Sequence, residues 1–283
     1  MQRTVLKLKI NGRCVNKCRF CIFHDDPHRL EVKDIDHFFS LTNNHEFKSI
    51  IINGGEPTIH PGFTDICAYL KTRFKNRCRL ALGTNLIPWR LKKGRYAQLQ
   101  ETILETFDGI RVGCDDEHRN VEHLEYFTPI IVNAGLILSV NVMKEFCNDE
   151  TKERILAVKK KYGINVTFSE IDHFYRSKPV INKLSKPCKK SARDLLINCN
   201  GDAFFCFHQE VEKPLFNLFT TSSEEVSFYL NEFEPEPYKF CSCCSHYRPV
   251  SEPFNPLKQL NGVIKTLKTK LHKHRHDKSA GDM

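Results

Sequence analysis

Apolar runs of strand length alternate with apolar residues at helical spacing six times over the first 170 residues, and few architectures satisfy that order. Residues 4–10, 47–53, 78–83, 108–113, 136–142 and 164–168 read as strands. Between them, Val32, Ile35, Phe38 and Phe39 form one helical stripe, and Phe63, Ile66, Cys67, Leu70 and Phe74 another. Residues 98–107, 117–133 and 150–162 continue the helical series. Strands separated by helices pair in parallel, so the fold class is α/β with a parallel sheet. The length of 283 residues and 40% hydrophobic content suit one barrel-sized domain with a small appendage. No run approaches the roughly 18 apolar residues of a membrane span. The N-terminal residues lack the apolar stretch of a signal peptide. Thirteen cysteines in such a chain predict a reducing cytoplasm and metal binding in place of disulfides.

The first cysteines stand directly after the first strand. Cys14, Cys18 and Cys21 form a C-x3-C-x2-C run. Three thiolates on a tight loop can hold a [4Fe–4S] cube and leave one iron open for a ligand. A zinc knuckle or plain reduced thiols would use the same spacing. After the second strand comes Gly54-Gly55-Glu56-Pro57. Paired glycines allow a close backbone approach, because they lack Cβ. Glu56 offers an acceptor for an ammonium group, although alone the segment would be an ordinary turn.

Together, the three-cysteine loop and the glycine-rich segment one β-α unit later resemble the radical S-adenosylmethionine (SAM) superfamily. The resemblance implies a partial (β/α)6 TIM-type barrel. It implies a [4Fe–4S] cluster on Cys14, Cys18 and Cys21, with SAM on the open iron. Gly54, Gly55 and Glu56 would then bind the SAM ammonium, and Phe20 would lie beside the adenine. Ligands of such barrels gather at the C-terminal ends of the strands. Asn85, Asp115 and Asn141 occupy those ends, and Asp115 is the ribose candidate. Each also suits an ordinary strand-end turn.

Cysteines crowd again after residue 180. Cys188, Gly201 and Cys206 give C-x12-G-x4-C, and Cys241 and Cys244 give C-x2-C. Asn200-Gly201 between short apolar runs at 195–199 and 203–207 is a hairpin signal. This set resembles the one-cluster "twitch" form of the SPASM extension, which implies an auxiliary [4Fe–4S] cluster on Cys188, Cys206, Cys241 and Cys244. Four thiolates suit zinc equally well. Cys199 reads as a small buried hydrophobe; Cys243 is an alternative to Cys241. Cys67, Cys78 and Cys147 read as structural. The expected division is a radical SAM core at 1–178, the auxiliary domain at 179–250, and a basic amphipathic helix with a tail at 251–283.

The resemblance implies reductive cleavage of SAM, with electrons from a flavodoxin- or ferredoxin-like donor. Hydrogen abstraction from a small molecule or peptide would follow, giving a net oxidation if the auxiliary cluster accepts an electron. Ribosomal-peptide maturation by a thioether or carbon–carbon crosslink is the rival reading. A non-catalytic iron–sulfur electron-transfer protein would have no need of Gly54-Gly55-Glu56. Nucleic acid is the third class of partner, suggested by seven cations against Asp277 from Lys258 to Lys278. That segment has no interleaved aromatics, which weakens a single-strand stacking role.

Overall fold

A computed structural model describes residues 4–21, 26–42, 45–91, 96, 98–169, 193–205 and 214–233. All belong to the compact unit Met1–Tyr247. The order is β1 (Val5–Asn11), α1 (Val32–Leu41), β2 (Ser49–Gly54), α2 (Phe63–Phe74), β3 (Arg79–Thr84), α3 (Leu99–Thr106), β4 (Gly109–Gly113), α4 (Val121–Asn133), β5 (Ile137–Met143), α5 (Asp149–Tyr162) and β6 (Asn165–Ser169). Three short strands follow, β7 (Asp194–Ile197), β8 (Asp202–Phe204) and β9 (Phe216–Asn217), and then α6 (Ser223–Asn231).

The first six strands pair in sequence order and in parallel. This is the α/β parallel sheet expected from the alternation, in the partial-barrel form that the resemblance implied. One row of side chains is wholly apolar: Leu6, Leu8 and Ile10 on β1, Ile50 and Ile52 on β2, Leu80 and Leu82 on β3, all buried. Ile110, Val112, Leu138, Val140 and Val142 continue it into β4 and β5. Ile35, Phe38, Ile66, Leu70, Ile103, Leu124 and Phe127 from the helices close over this row as one core. The alternate positions include Lys7, Lys9, Asn53, Arg79, Arg111, Asn141 and Thr167. Side chains alternate faces along a strand, so the inner face of the sheet is polar. Helices therefore cover one face, and the other is left to line a ligand space.

Local signals set the helix ends. In α5 the Asn148 side chain accepts from the Thr151 amide, and Gly163 ends the helix in the left-handed region at φ +66. In α6, Ser222 and Glu225 form a reciprocal capping box.

The hairpin at Asn200-Gly201 is present, with β7 and β8 antiparallel and Gly201 at φ +86. The sequence did not indicate where it docks. β7 pairs in parallel with β1, from Val5↔Asp194 to Leu8↔Ile197. The sheet thus has nine strands, ordered β6-β5-β4-β3-β2-β1-β7-β8-β9. β7, β8 and β9, from the part of the chain after residue 192, belong to this same sheet. Cys188, Cys206, Cys241, Cys243 and Cys244, and the basic segment at 251–283, lie outside the described residues.

Candidate active site

The cysteine loop leaves β1 at a register shift between Lys9 and Asn11. Bulges often re-aim a chain beside an active site. Asn11, buried, then ties the loop down. Its Nδ2 donates to the Glu56 carbonyl at 3.0 Å and the Arg13 carbonyl at 3.2 Å. The Gly55 amide donates to the Asn11 carbonyl at 2.6 Å, and the Glu56 amide to the Arg13 carbonyl at 2.8 Å. The two sequence motifs are therefore one backbone-bonded unit.

That contact accounts for the glycines. A Cβ on Gly54 would lie 2.5 Å from the Asn11 oxygen, and one on Gly55 2.3 Å from the Arg13 oxygen. The close approach expected of them is made to the cysteine loop itself.

Glu56 is held by neighbouring donors of the protein. Its side chain is fully buried. Oε1 accepts from the Thr58 amide at 3.1 Å and the Thr84 hydroxyl at 2.9 Å, and Oε2 accepts from the Asn85 amide at 2.7 Å. Burial pushes this carboxyl above its usual range, while the donated hydrogen bonds oppose the shift. The carboxyl fixes the end of β3 to the loop after β2.

Asn85 passes this order to the cysteines, its Nδ2 standing 3.7 Å from the Cys14 sulfur. The Cys18 thiol approaches the Glu117 carbonyl at 3.5 Å, and the Cys21 amide donates to the Cys18 carbonyl at 3.0 Å. Burial above all pushes the Cys14 thiol up to about 11 and that of Cys18 to about 12, and charge on neighbouring thiols adds to both. Metal loading must displace those protons. Among the described residues no three His, Cys, Asp or Glu side chains gather tightly enough for a single ion. Cys14, Cys18 and Cys21 are near enough for their charges to act on one another, and three thiolates on one loop suit an iron–sulfur cluster. The loop fits the cluster that the resemblance implies.

Asp115, like Glu56, is held by donors of the protein itself. It is 1% exposed. Oδ1 accepts from the Glu117 and His118 amides at 3.1 and 3.0 Å and lies 2.9 Å from His118 Nδ1. These bonds turn the carboxylate into its own loop. The group it orients is His118, whose ring lies over Gly113; a Cβ there would meet Nε2 at 2.6 Å. Phe20 packs on this imidazole, centroids 5.4 Å apart, and on Phe146 at 5.3 Å. An aromatic surface thus stands beside the cysteine loop where the adenine was expected. Asn141 is exposed on the inner face and accepts from the Ser169 hydroxyl at 2.7 Å.

Sequence reasoning missed Asn11, Asn16, His118 and Asn120. The Asn16 Nδ2 donates to the His118 carbonyl at 2.7 Å. Asn120 Nδ2 donates to the carbonyls of Asn85 and Gly113, both at 2.8 Å. Their position in turns beside strand ends was the available signal. Cys199 is buried as expected, yet its thiol also donates to Asp26 Oδ2 at 3.0 Å.

No protein-family model matches the chain. Two GTP 3′,8-cyclases of Helicobacter pylori are 22% identical to it over 263 and 261 residues, covering 87% of this chain and 77% of each relative. Among solved structures, Streptococcus suis SuiB bound to S-adenosylmethionine matches with TM-score 0.53 and 14% identity over 82% of this chain. The chain spans 66% of SuiB, just under two thirds. The structure of anSMEcpe with bound AdoMet and Cp18Cys peptide matches with TM-score 0.57 and 14% identity, covering 81% of each chain. The chain is similar to radical SAM enzymes in sequence and shares their partial-barrel fold. Among the described residues no helix is long and apolar enough to cross a membrane.

Proposed function

We propose that this chain works as the radical SAM enzyme it resembles, using SAM to abstract hydrogen from a small molecule or peptide. One observation carries the reading. The three-cysteine loop and the Gly54-Gly55-Glu56 loop are locked together by the Asn11, Gly55 and Glu56 hydrogen bonds. They sit at the C-terminal ends of parallel strands, where such barrels place their chemistry. A [4Fe–4S] cluster there would supply the electron that splits the C5′–S bond of SAM, giving methionine and a 5′-deoxyadenosyl radical.

The protein's part is to position. Cys14, Cys18 and Cys21 hold the cluster. The backbone of Gly54 to Glu56, braced by the Glu56 carboxylate, offers its polar groups to the methionyl end. Phe20 with Phe146 and His118 supports the adenine, and Asn141 faces the bound cosubstrate from β5. A flavodoxin- or ferredoxin-like protein delivers electrons. Cys188, Cys206, Cys241 and Cys244 hold an auxiliary cluster that accepts the electron left on the substrate, so the net reaction is an oxidation.

Dithionite-reduced, cluster-loaded protein should convert SAM to 5′-deoxyadenosine even without substrate. Loaded protein that binds SAM yet forms none would overturn the proposal. A Cys206→Ala variant should still form 5′-deoxyadenosine but fail to complete substrate oxidation. One zinc and four irons per chain would replace the auxiliary cluster by a structural ion and remove the oxidation.

A further inference from the structure

The inner face of the sheet carries a second cluster of charge, toward the opposite strand ends from the cysteine loop. A cavity of about 520 Å³ is lined there by Lys7, Arg79, Arg111 and Arg193 against a single carboxylate, Asp194. Part of this charge is settled internally. Lys7 Nζ lies 2.6 Å from Asp194 Oδ2, and Arg193 Nε 2.8 Å from Oδ1, and the carboxylate is buried. Burial opposes ionisation of Asp194, but Lys7 and Arg193 more than offset it and hold the carboxyl below its usual range.

Arg79 and Arg111 are different. Both are exposed. Neither guanidinium has a hydrogen bond or ion pair among the described residues. They project from adjacent strands, and the residues between them are small, Ala81 opposite Gly109. A Cβ on Gly109 would lie 3.6 Å from Arg79 Nη2. The floor between the guanidinium groups is therefore low and open. Desolvation and then repulsion from Arg79 weigh against the charge on Arg111, with attraction to Asp194 only partly opposing them. Two like charges recessed on one wall cost energy that a bound counter-charge relieves. A purely structural role for this end is met by the Asp194 triad, and it leaves both arginines unexplained.

We propose that this cavity binds a multiply charged anion of the phosphoryl class, held by Arg79 and Arg111 with Lys7 and Arg193 at its margin. Guanidinium forks match tetrahedral oxyanions in bidentate geometry. The excess of cations over the one carboxylate calls for more than a single negative charge. The site is independent of the SAM reading, because its test uses neither cluster nor reductant.

Calorimetric titration of the full chain with inorganic pyrophosphate should give saturable binding that weakens as salt rises. The Arg79→Met/Arg111→Met double variant should lose about tenfold or more in affinity. Lys75→Met, which alters a cation lying 3.8 Å from Asp108 outside this cavity, should bind like wild type. Arg79→Gln alone, at an exposed side chain, should show an intermediate loss if the double variant proves unstable. Wild type without saturable heat, arginine variants that bind unchanged, or an equal loss in Lys75→Met would each overturn the site. Succinate binding as tightly as pyrophosphate would overturn the phosphoryl assignment.

Discussion

The two ends of the same sheet treat polar side chains in opposite ways. At the C-terminal ends of the strands, Asn11, Glu56, Asn85, Asp115 and Asn120 are buried and bonded to neighbouring loops. At the N-terminal end of β3 and the middle of β4, Arg79 and Arg111 are exposed and unpaired among the described residues. A position on a strand end therefore does not say whether a residue meets a ligand. Where backbone donors are close, a carboxylate is drawn into the frame. Where the neighbours are Ala81 and Gly109, a long cation has nothing to bond and remains available.

The sharpest way to break this contrast is Gly55→Ala. Its Cβ would stand 2.3 Å from the Arg13 oxygen and 2.9 Å from that of Gly12, both backbone. A cost of about 3 kcal/mol, a fall in Tm of roughly 6–12 °C, is expected with loss of bound iron. An unchanged melting curve would show that the two loops are not locked. Replacing Glu56 by Gln comes next. It turns an amide donor toward groups that already donate, at about 2 kcal/mol. Chemical denaturation should register the loss in metal-free protein, which separates framing from SAM binding. A third test addresses the N-terminal end. Asp194 is held below the ordinary value of 3.8, so its ionic contribution is present above that value and fades as the pH falls through the lower folded one. Asp194→Asn should cost about 1.5 kcal/mol at neutral pH and progressively less in acid; a gap that stays constant with pH would remove the triad from the account. The smallest effect is expected at Ser169→Ala, whose hydroxyl bonds Asn141 in the open. Stability should change by less than about 0.5 kcal/mol. A shift in SAM affinity without that loss would place Asn141 at the ligand.

The helical stripes and apolar strands were legible because one face of each packs into a single core. The strands begin and end within about two residues of the sequence reading, as fraying boundaries allow. The hairpin was legible from Asn200-Gly201. The docking of β7 on β1 was not, since pairing across 187 residues, as between Lys7 and Asp194, leaves no local periodic signal. In the site, the need for glycine at 54 and 55 was legible, whereas the identity of what fills the space was not. Glu56 and Asp115 were placed at the right strand ends, but their partners within the protein were not legible. The residue type shows that an acceptor is present; only the fold shows that Thr58, Thr84, Asn85, Glu117 and His118 reach it first.

The pairing of β1 on both sides has a consequence for biosynthesis. The strand that carries the cysteine loop leaves the ribosome well before its second neighbour, Asp194–Ile197. Until those residues emerge, β1 is the border of a growing sheet, with unpaired amides and carbonyls along one side. Contacts so distant in sequence form late and slowly. On the proposed function, the cluster on Cys14, Cys18 and Cys21 would then be loaded late in the maturation of the nascent chain, once the segment carrying β7 has folded back onto β1.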